Sequence, residues 1–132
     1  MSGAALADAA EALAGAPFRL HGRDPETGLD CIGLLAAALV AIGRTAPLPN
    51  GYALRNRTLP PLAGLAAACG FAAADGKTRP GDVLVLRAGP GQYHFAIATR
   101  GDGFVHAHAG LGRVARSAGA PPWPVLTRWR LT

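Results

Sequence analysis

The segment from Asp30 to Gly43, D-C-I-G-L-L-A-A-A-L-V-A-I-G, constrains this chain more than any other. Ile32, Leu34, Leu35, Leu39, Val40 and Ile42 make it apolar on nearly every side, and a helix of that kind has to be buried at the centre of a core. Asp30 is a residue type that caps helix starts, and Gly43 is a natural stop. The cover for this helix must come from the rest of a 132-residue chain, which is one domain's worth of material, expected over 1–132. Half of the residues are hydrophobic but aromatics reach only 6%, so the core is expected to be modest and built mainly from small side chains.

The first half of the chain reads as helical and the second as strands. Ser2 is placed to cap a helix from about Gly3 to Leu13, with Leu6, Ala9, Ala10 and Leu13 on one face and Gly15 as its stop. Residues 16–29 read as a polar loop and 44–58 as a Pro- and Asn-containing one. Pro60 and Pro61 open a short third helix that ends at Gly70. From residue 80 the apolar period changes to two, predicting strands over Asp82–Arg87, Gln92–Arg100, Phe104–Ala109, Arg113–Ser117 and Val125–Leu131. Gly89-Pro90-Gly91 and Gly101-Asp102-Gly103 supply the first turns. Helices first and antiparallel strands afterwards predict an α+β domain, a sheet packed against the buried helix.

Charge and cysteine usage narrow the function less than the fold. Lys and Arg number 13, with Lys77 the single lysine, against 8 acids, and the net charge of +5 suits an anionic partner. The arginines are scattered, with no basic run and no aromatic-rich sheet motif, which argues against nucleic acid. Cys31 and Cys69 match no zinc-ligand spacing, and neither a metal nor an organic cofactor is called for. Residues 1–15 carry Asp8 and Glu11 and lack a basic lead, so no signal peptide and no membrane insertion are expected, and synthesis in the cytoplasm is.

Chemistry concentrates at Cys31 and the histidines. A thiol in the first turn of a helix meets unpaired N–H groups and the positive end of the dipole, which predicts a thiolate stabilised below its ordinary pKa. The same N–H groups suit a substrate oxyanion. Cys69, late in an Ala-rich helix, reads as core. Alternation puts His94 with Ala96 and Ala98 on one strand face, and His106 and His108 with Phe104 on one face of the next. A hairpin centred on Asp102 places His94 and His106 about four residues out of step, so a bulge or sheet coiling would be needed to bring them together.

These residues also carry a resemblance. Gly28-Leu29-Asp30-Cys31-Ile32-Gly33-Leu34 resembles the G-x-D-C-S-G-L signature of the NlpC-type cell-wall cysteine peptidases, whose fold is papain-like. Ala16-Pro17-Phe18-Arg19-Leu20-His21-Gly22 is similar to that family's P-Y-x-x-G-G segment, and Arg79-Pro80-Gly81-Asp82-Val83-Leu84 to its x-P-G-D-L-V strand. Tyr93-His94-Phe95-Ala96-Ile97 resembles its H-V-G-I strand, and Gly103-Phe104-Val105-His106-Ala107 its F-I-H-A strand. The pieces span about residues 14–117 in the family's order, and the D-C-x-G-L-L form is most similar to the branch carried by phage tails and gene transfer agents.

The resemblance implies a peptidase with Cys31 as nucleophile, His94 as general base and His106 orienting it, with His108 two residues away as the other claimant to that third role. It implies a peptidoglycan stem peptide as substrate, cut at an amide bond of the D-glutamate–diamino acid type, and delivery to the wall by a tail particle, alongside tail proteins, or by lysis. Asp30, His21, Arg23, Phe18 and His108 are the further candidates for the substrate or oxyanion site, and Arg19 or Arg23 for a substrate carboxylate. Three positions depart from the family: Phe18 stands for tyrosine, Ile32 for serine, and His21 for the first of two glycines. Phe18 and Ile32 motivate a non-catalytic structural or binding tail component as the alternative, and a thiol amidase or acyltransferase would use the same constellation.

Overall fold

The computed structural model describes residues 2–45, 47–48, 62–89 and 92–132. Its elements run in order α1 (Ser2–Ala12), β1 (Arg23–Asp24), β2 (Gly28–Leu29), α2 (Cys31–Ala41), α3 (Leu62–Ala68), β3 (Phe71–Ala73), β4 (Val83–Gly89), β5 (Gln92–Ala98), β6 (Gly103–His108), β7 (Arg113–Ala118) and β8 (Val125–Leu131). A single 3-10 turn, Ala109–Leu111, joins β6 to β7. The side chain of Ser2, the Pro60-Pro61 helix start, most of the loop over 44–58 and part of the Gly89-Pro90-Gly91 turn lie outside the described residues.

β1 and β2 form a small antiparallel ribbon, and the other six strands form one antiparallel sheet in the order β3-β8-β4-β5-β6-β7. One face of that sheet presents Val83, Val85, Phe95, Ile97, Val105 and Trp129 to Leu34, Leu35 and Leu39 of α2 and to Leu6 and Ala10 of α1, all buried. Full burial of each such leucine stabilises the fold by about 1.5–3 kcal/mol relative to exposure. The other face carries a smaller cluster, Leu84, Leu86, Ala96 and Phe104, with Trp123 packed against it. The mixed architecture is therefore the α+β arrangement expected, with α2 as the central helix. The exception is the outward side of its last turn, where Val40 is 63% exposed while Ala38 and Leu39 stay buried.

Two strand features differ from the sequence reading. β3 is a three-residue edge strand, too short and alanine-rich for alternation to mark, and it exists because Phe71–Ala73 pairs with β8 while Phe71 packs on Trp129. The loop over 16–29 contains the β1–β2 ribbon, which two-residue strands cannot announce. No described helix is long and apolar enough to cross a membrane.

The β5–β6 hairpin corrects the predicted register. Ala96 pairs with His106, Ile97 with Val105 and Ala98 with Phe104, so the hairpin is centred on residue 101 and not on Asp102. A centre moved by one residue shifts the pairing by two, which keeps every side chain on its predicted face but halves the offset of His94 from His106. They become diagonal neighbours, within reach of two imidazoles, and no bulge interrupts these pairs.

Candidate active site

Asp30 sets the start of α2. It is fully buried, its Oδ1 accepts the Gly33 N–H at 2.8 Å, and its Oδ2 accepts the His21 N–H at 2.8 Å. One carboxylate thus caps the helix and ties it to the loop over 18–22. The loop packs so tightly here that a Cβ on Gly33 would run into the Gly22 carbonyl oxygen, and a Cβ on Gly22 into that of Gly28. The spacing G-L-D-C-I-G is in this sense a packing requirement. His21 adopts φ +61°, a left-handed conformation that favours glycine.

Replacing Asp30 with alanine would leave two N–H donors at a buried helix start without their acceptor. We expect a loss of about 2–4 kcal/mol, read as a lowered denaturation midpoint in urea at unchanged slope.

Cys31 follows in the first turn, only 1% exposed. The pairing of β5 with β6 ends at Ala96↔His106, though both strands run on to His94 and His108. The sulfur sits where they part, facing the backbone of Phe95 as well as the N–H groups of Ile32 and Cys31 itself. Those groups favour the thiolate as expected, but burial outweighs them, and with the Asp30 charge it pushes the thiol up to about 12. The predicted depression of the thiol pKa is thus reversed: desolvation wins over the helix terminus.

A cleft of about 180 Å³ opens over this point, lined by Phe18, Cys31, Tyr93, His94, His106, His108 and Trp123 among others. His94 Nε2 and His106 Nδ1 lie 3.0 Å apart in a hydrogen bond, the rings nearly perpendicular. Trp123 packs against both imidazoles, with centroids 5.6 Å from His94 and 5.8 Å from His106. Phe104 also packs on His106, with centroids 4.9 Å apart, and His106 is 3% exposed. Burial, and after it the proximity of His106 and His108, lowers His94 to about 4; burial and His108 lower His106 to about 4. His108 also holds the backbone beyond β6, since its Nδ1 accepts the Leu111 N–H at 3.1 Å and caps the 3-10 turn.

The sign of the imidazole shifts fixes a stability prediction. An imidazole lowered in the folded state takes up its proton first in the unfolded chain, so acid favours unfolding. Stability is therefore expected to fall as pH drops from about 6.5 towards about 4, by at most about 1.4 kcal/mol per pH unit for each imidazole. Thermal melts across that range check it, and a His94→Gln/His106→Gln double variant should flatten the slope.

The structure thus brings Cys31, His94, His106, His108 and Phe18 to one cleft and leaves three other candidates outside its wall. Asp30 is sealed in the helix cap next to Cys31 and does not line the cleft. The N–H of His21, a candidate for the substrate or oxyanion site, is committed to Asp30, and its ring does not line the cleft. Arg23 lines a separate groove with Leu13, Pro25, Ala36 and Val40, because the ribbon turns its side chain towards α1 and α2. The N–H groups of Cys31 and Ile32 are the first-turn donors that Asp30 does not take up, since the Gly33 N–H goes to Asp30 Oδ1 and that of Leu34 to the Asp30 carbonyl. Trp123 was not anticipated; its only signal is a lone aromatic in the Pro-rich run Pro121-Pro122-Trp123-Pro124. Among the described residues no three His, Cys, Asp or Glu side chains gather as a metal-ligand set.

A helix-borne cysteine sharing a cleft with strand-borne histidines, on a helix packed over an antiparallel sheet, defines a papain-like α+β domain. The chain belongs to the NlpC/P60 family, whose model matches residues 15–124. Among solved structures it is similar to NlpC1 from Trichomonas vaginalis, at 19% identity and a TM-score of 0.73, over 98% of this chain and 45% of that one. It is also similar to the NlpC/p60 domain of the peptidoglycan hydrolase SagA, at 26% identity and a TM-score of 0.63, over 95% of this chain and 98% of that domain. The chain thus spans less than half of the Trichomonas protein and nearly all of the SagA domain. No curated protein matches it.

Proposed function

We propose that this chain is a cysteine endopeptidase that hydrolyses an amide bond in peptidoglycan stem peptides, of the D-glutamate–diamino acid type. The observation that carries the reading is the His94–His106 hydrogen bond in the same cleft as Cys31. With its Nε2 engaged by His106, His94 has only Nδ1 left to exchange a proton with the sulfur. For that, its own proton sits on Nε2 and is donated to His106 Nδ1, so His106 selects the tautomer in which His94 is a base. Membership of a family of cysteine peptidases and peptidoglycan hydrolases, and the likeness to the SagA domain, support the same reading.

The resting pair is a neutral thiol and a neutral imidazole. As Cys31 Sγ attacks the carbonyl carbon, its proton passes to His94 Nδ1, and the oxyanion forms at the N–H groups of Cys31 and Ile32. His94 then gives the proton to the leaving amine as the C–N bond breaks, which leaves a thioester on Cys31. Water, deprotonated by the same nitrogen, attacks the thioester and frees the acid and the thiol. Phe18 places an aromatic ring without a hydroxyl on the cleft wall, so the oxyanion site rests on backbone donors.

Purified sacculi provide the test. Incubation with the protein should release soluble peptide fragments with new amine and carboxylate ends, and no release would sink the peptidase reading. The resemblance to the tail-borne branch adds a proposal of delivery by a tail particle or by lysis, which immunodetection of the protein in purified particles would test.

A further inference from the structure

Charges on this surface are sorted. Asp8 pairs with Arg100, Glu11 with Arg116, and the buried Asp82 with Arg128 and Arg130. Three other arginines, Arg19, Arg87 and Arg113, make no side-chain ion pair or hydrogen bond among the described residues. None of the three lines the cleft, but each neighbours a residue that does. Arg19 follows Phe18, Arg87 lies directly across the ladder from Tyr93, and Arg113 directly across from His108. No Asp or Glu lines the cleft. A fourth such arginine, Arg79, lines a separate depression with Thr78 and Asp102.

The sheet gives two of these arginines a spacing. The histidines stand on β5 and β6, the central pair of the run β4-β5-β6-β7, with Arg87 at the end of β4 and Arg113 at the start of β7. All four strand ends lie along one edge. Tyr93 and His94 point to opposite faces, yet both line the cleft, so it sits over that edge. Arg87, opposite Tyr93, and Arg113, opposite His108, stand on opposite faces of the sheet, each beside a residue that lines the cleft. Three strand spacings of about 4.8 Å separate β4 from β7, roughly 14 Å, which an extended peptide spans in about four residues. Unpaired arginines on strands at that spacing, one on each face of the edge, suit a short peptide that crosses the edge with a carboxylate on each side of the bond being cut.

We propose that Arg87 and Arg113 are specificity-determining residues that bind free carboxylates on the two sides of the scissile bond, so that the protein discriminates against stem peptides whose carboxylates are amidated. This rests on the peptidase reading above. The probes are two synthetic stem tetrapeptides, one with all carboxylates free and one with the D-glutamate and diamino acid carboxylates amidated. Binding of each to the Cys31→Ala protein is compared with binding to the same protein also carrying Arg113→Gln, Arg87→Gln or, as a remote control with the same charge change, Arg79→Gln.

The free-acid peptide is expected to bind about a hundredfold more tightly than the amidated one, about tenfold for each carboxylate, with a preference that shrinks in high salt. Arg113→Gln and Arg87→Gln should each reduce that ratio by about tenfold, and Arg79→Gln should leave it in place. Equal binding of the two peptides, or the same ratio in all three arginine variants, overturns the proposal. Cleavage by the protein with Cys31 intact is scored separately: carboxylate-dependent binding without any cleavage would sink the peptidase reading and leave the arginine assignment standing.

Discussion

Cys31→Ala is expected to lower kcat/KM for stem-peptide cleavage by at least about 10⁴-fold, while Cys69→Ala leaves it within about twofold. The large figure follows from the chemistry. Without the sulfur no thioester forms, and the reaction falls back on what the backbone donors contribute by holding the carbonyl, which is a small part of the whole. The contrast between the cysteines is a matter of surroundings. Both are buried and free, but Cys31 opens α2 at a cleft shared with His94, whereas Cys69 packs in the core beside α3. Circular dichroism of both variants should match the parent, since a buried thiol exchanged for a methyl group removes little volume.

The second large effect is at His94. Burial holds the Cys31 thiol up at about 12, so very little of it is ionised near neutrality and the proton has to leave as the sulfur attacks. On the proposed mechanism His94 is the imidazole that takes it, and His94→Ala should therefore lower kcat by about 10³-fold. The low values of both imidazoles, about 4, give the pH dependence its sign. His94 stays neutral and competent as a base down to that range, so kcat/KM should hold nearly constant from pH 7.5 to 5.5 and fall only below about 5. An acid limb centred near 6.5 would mean a solvated histidine and contradict the buried pair. Trp123→Ala, which opens both rings to water, should move the limb upward by about a unit.

Much of this site could be read in the residues themselves, and what could not has physical causes. The N-cap at Asp30 and the apolar run behind it determined where α2 begins, because capping and burial are local properties. The strand faces of His94, His106 and His108 followed from alternation alone. Their distance did not, since hairpin register depends on which turn residue lies at the centre, and a one-residue error doubled the apparent offset. The thiol's pKa direction was missed for a related reason: helix position is visible in a sequence, whereas the packing that desolvates Cys31 is tertiary. Trp123 reaches the cleft from the loop before β8, a strand that pairs with the distant β4, and no local pattern marks it. Arg23, close to Cys31 in sequence, is turned away by a two-residue ribbon that periodicity cannot register.

The measurement that bears most directly on the central claim is a mass-resolved digestion of one free-acid stem tetrapeptide by the parent protein beside Cys31→Ala. The parent is expected to give two fragments whose masses sum to the peptide plus one water, with the new ends at the D-glutamate–diamino acid bond, and the variant to leave the peptide intact. Intact peptide from both, or the same fragments from both, would contradict a Cys31-dependent peptidase.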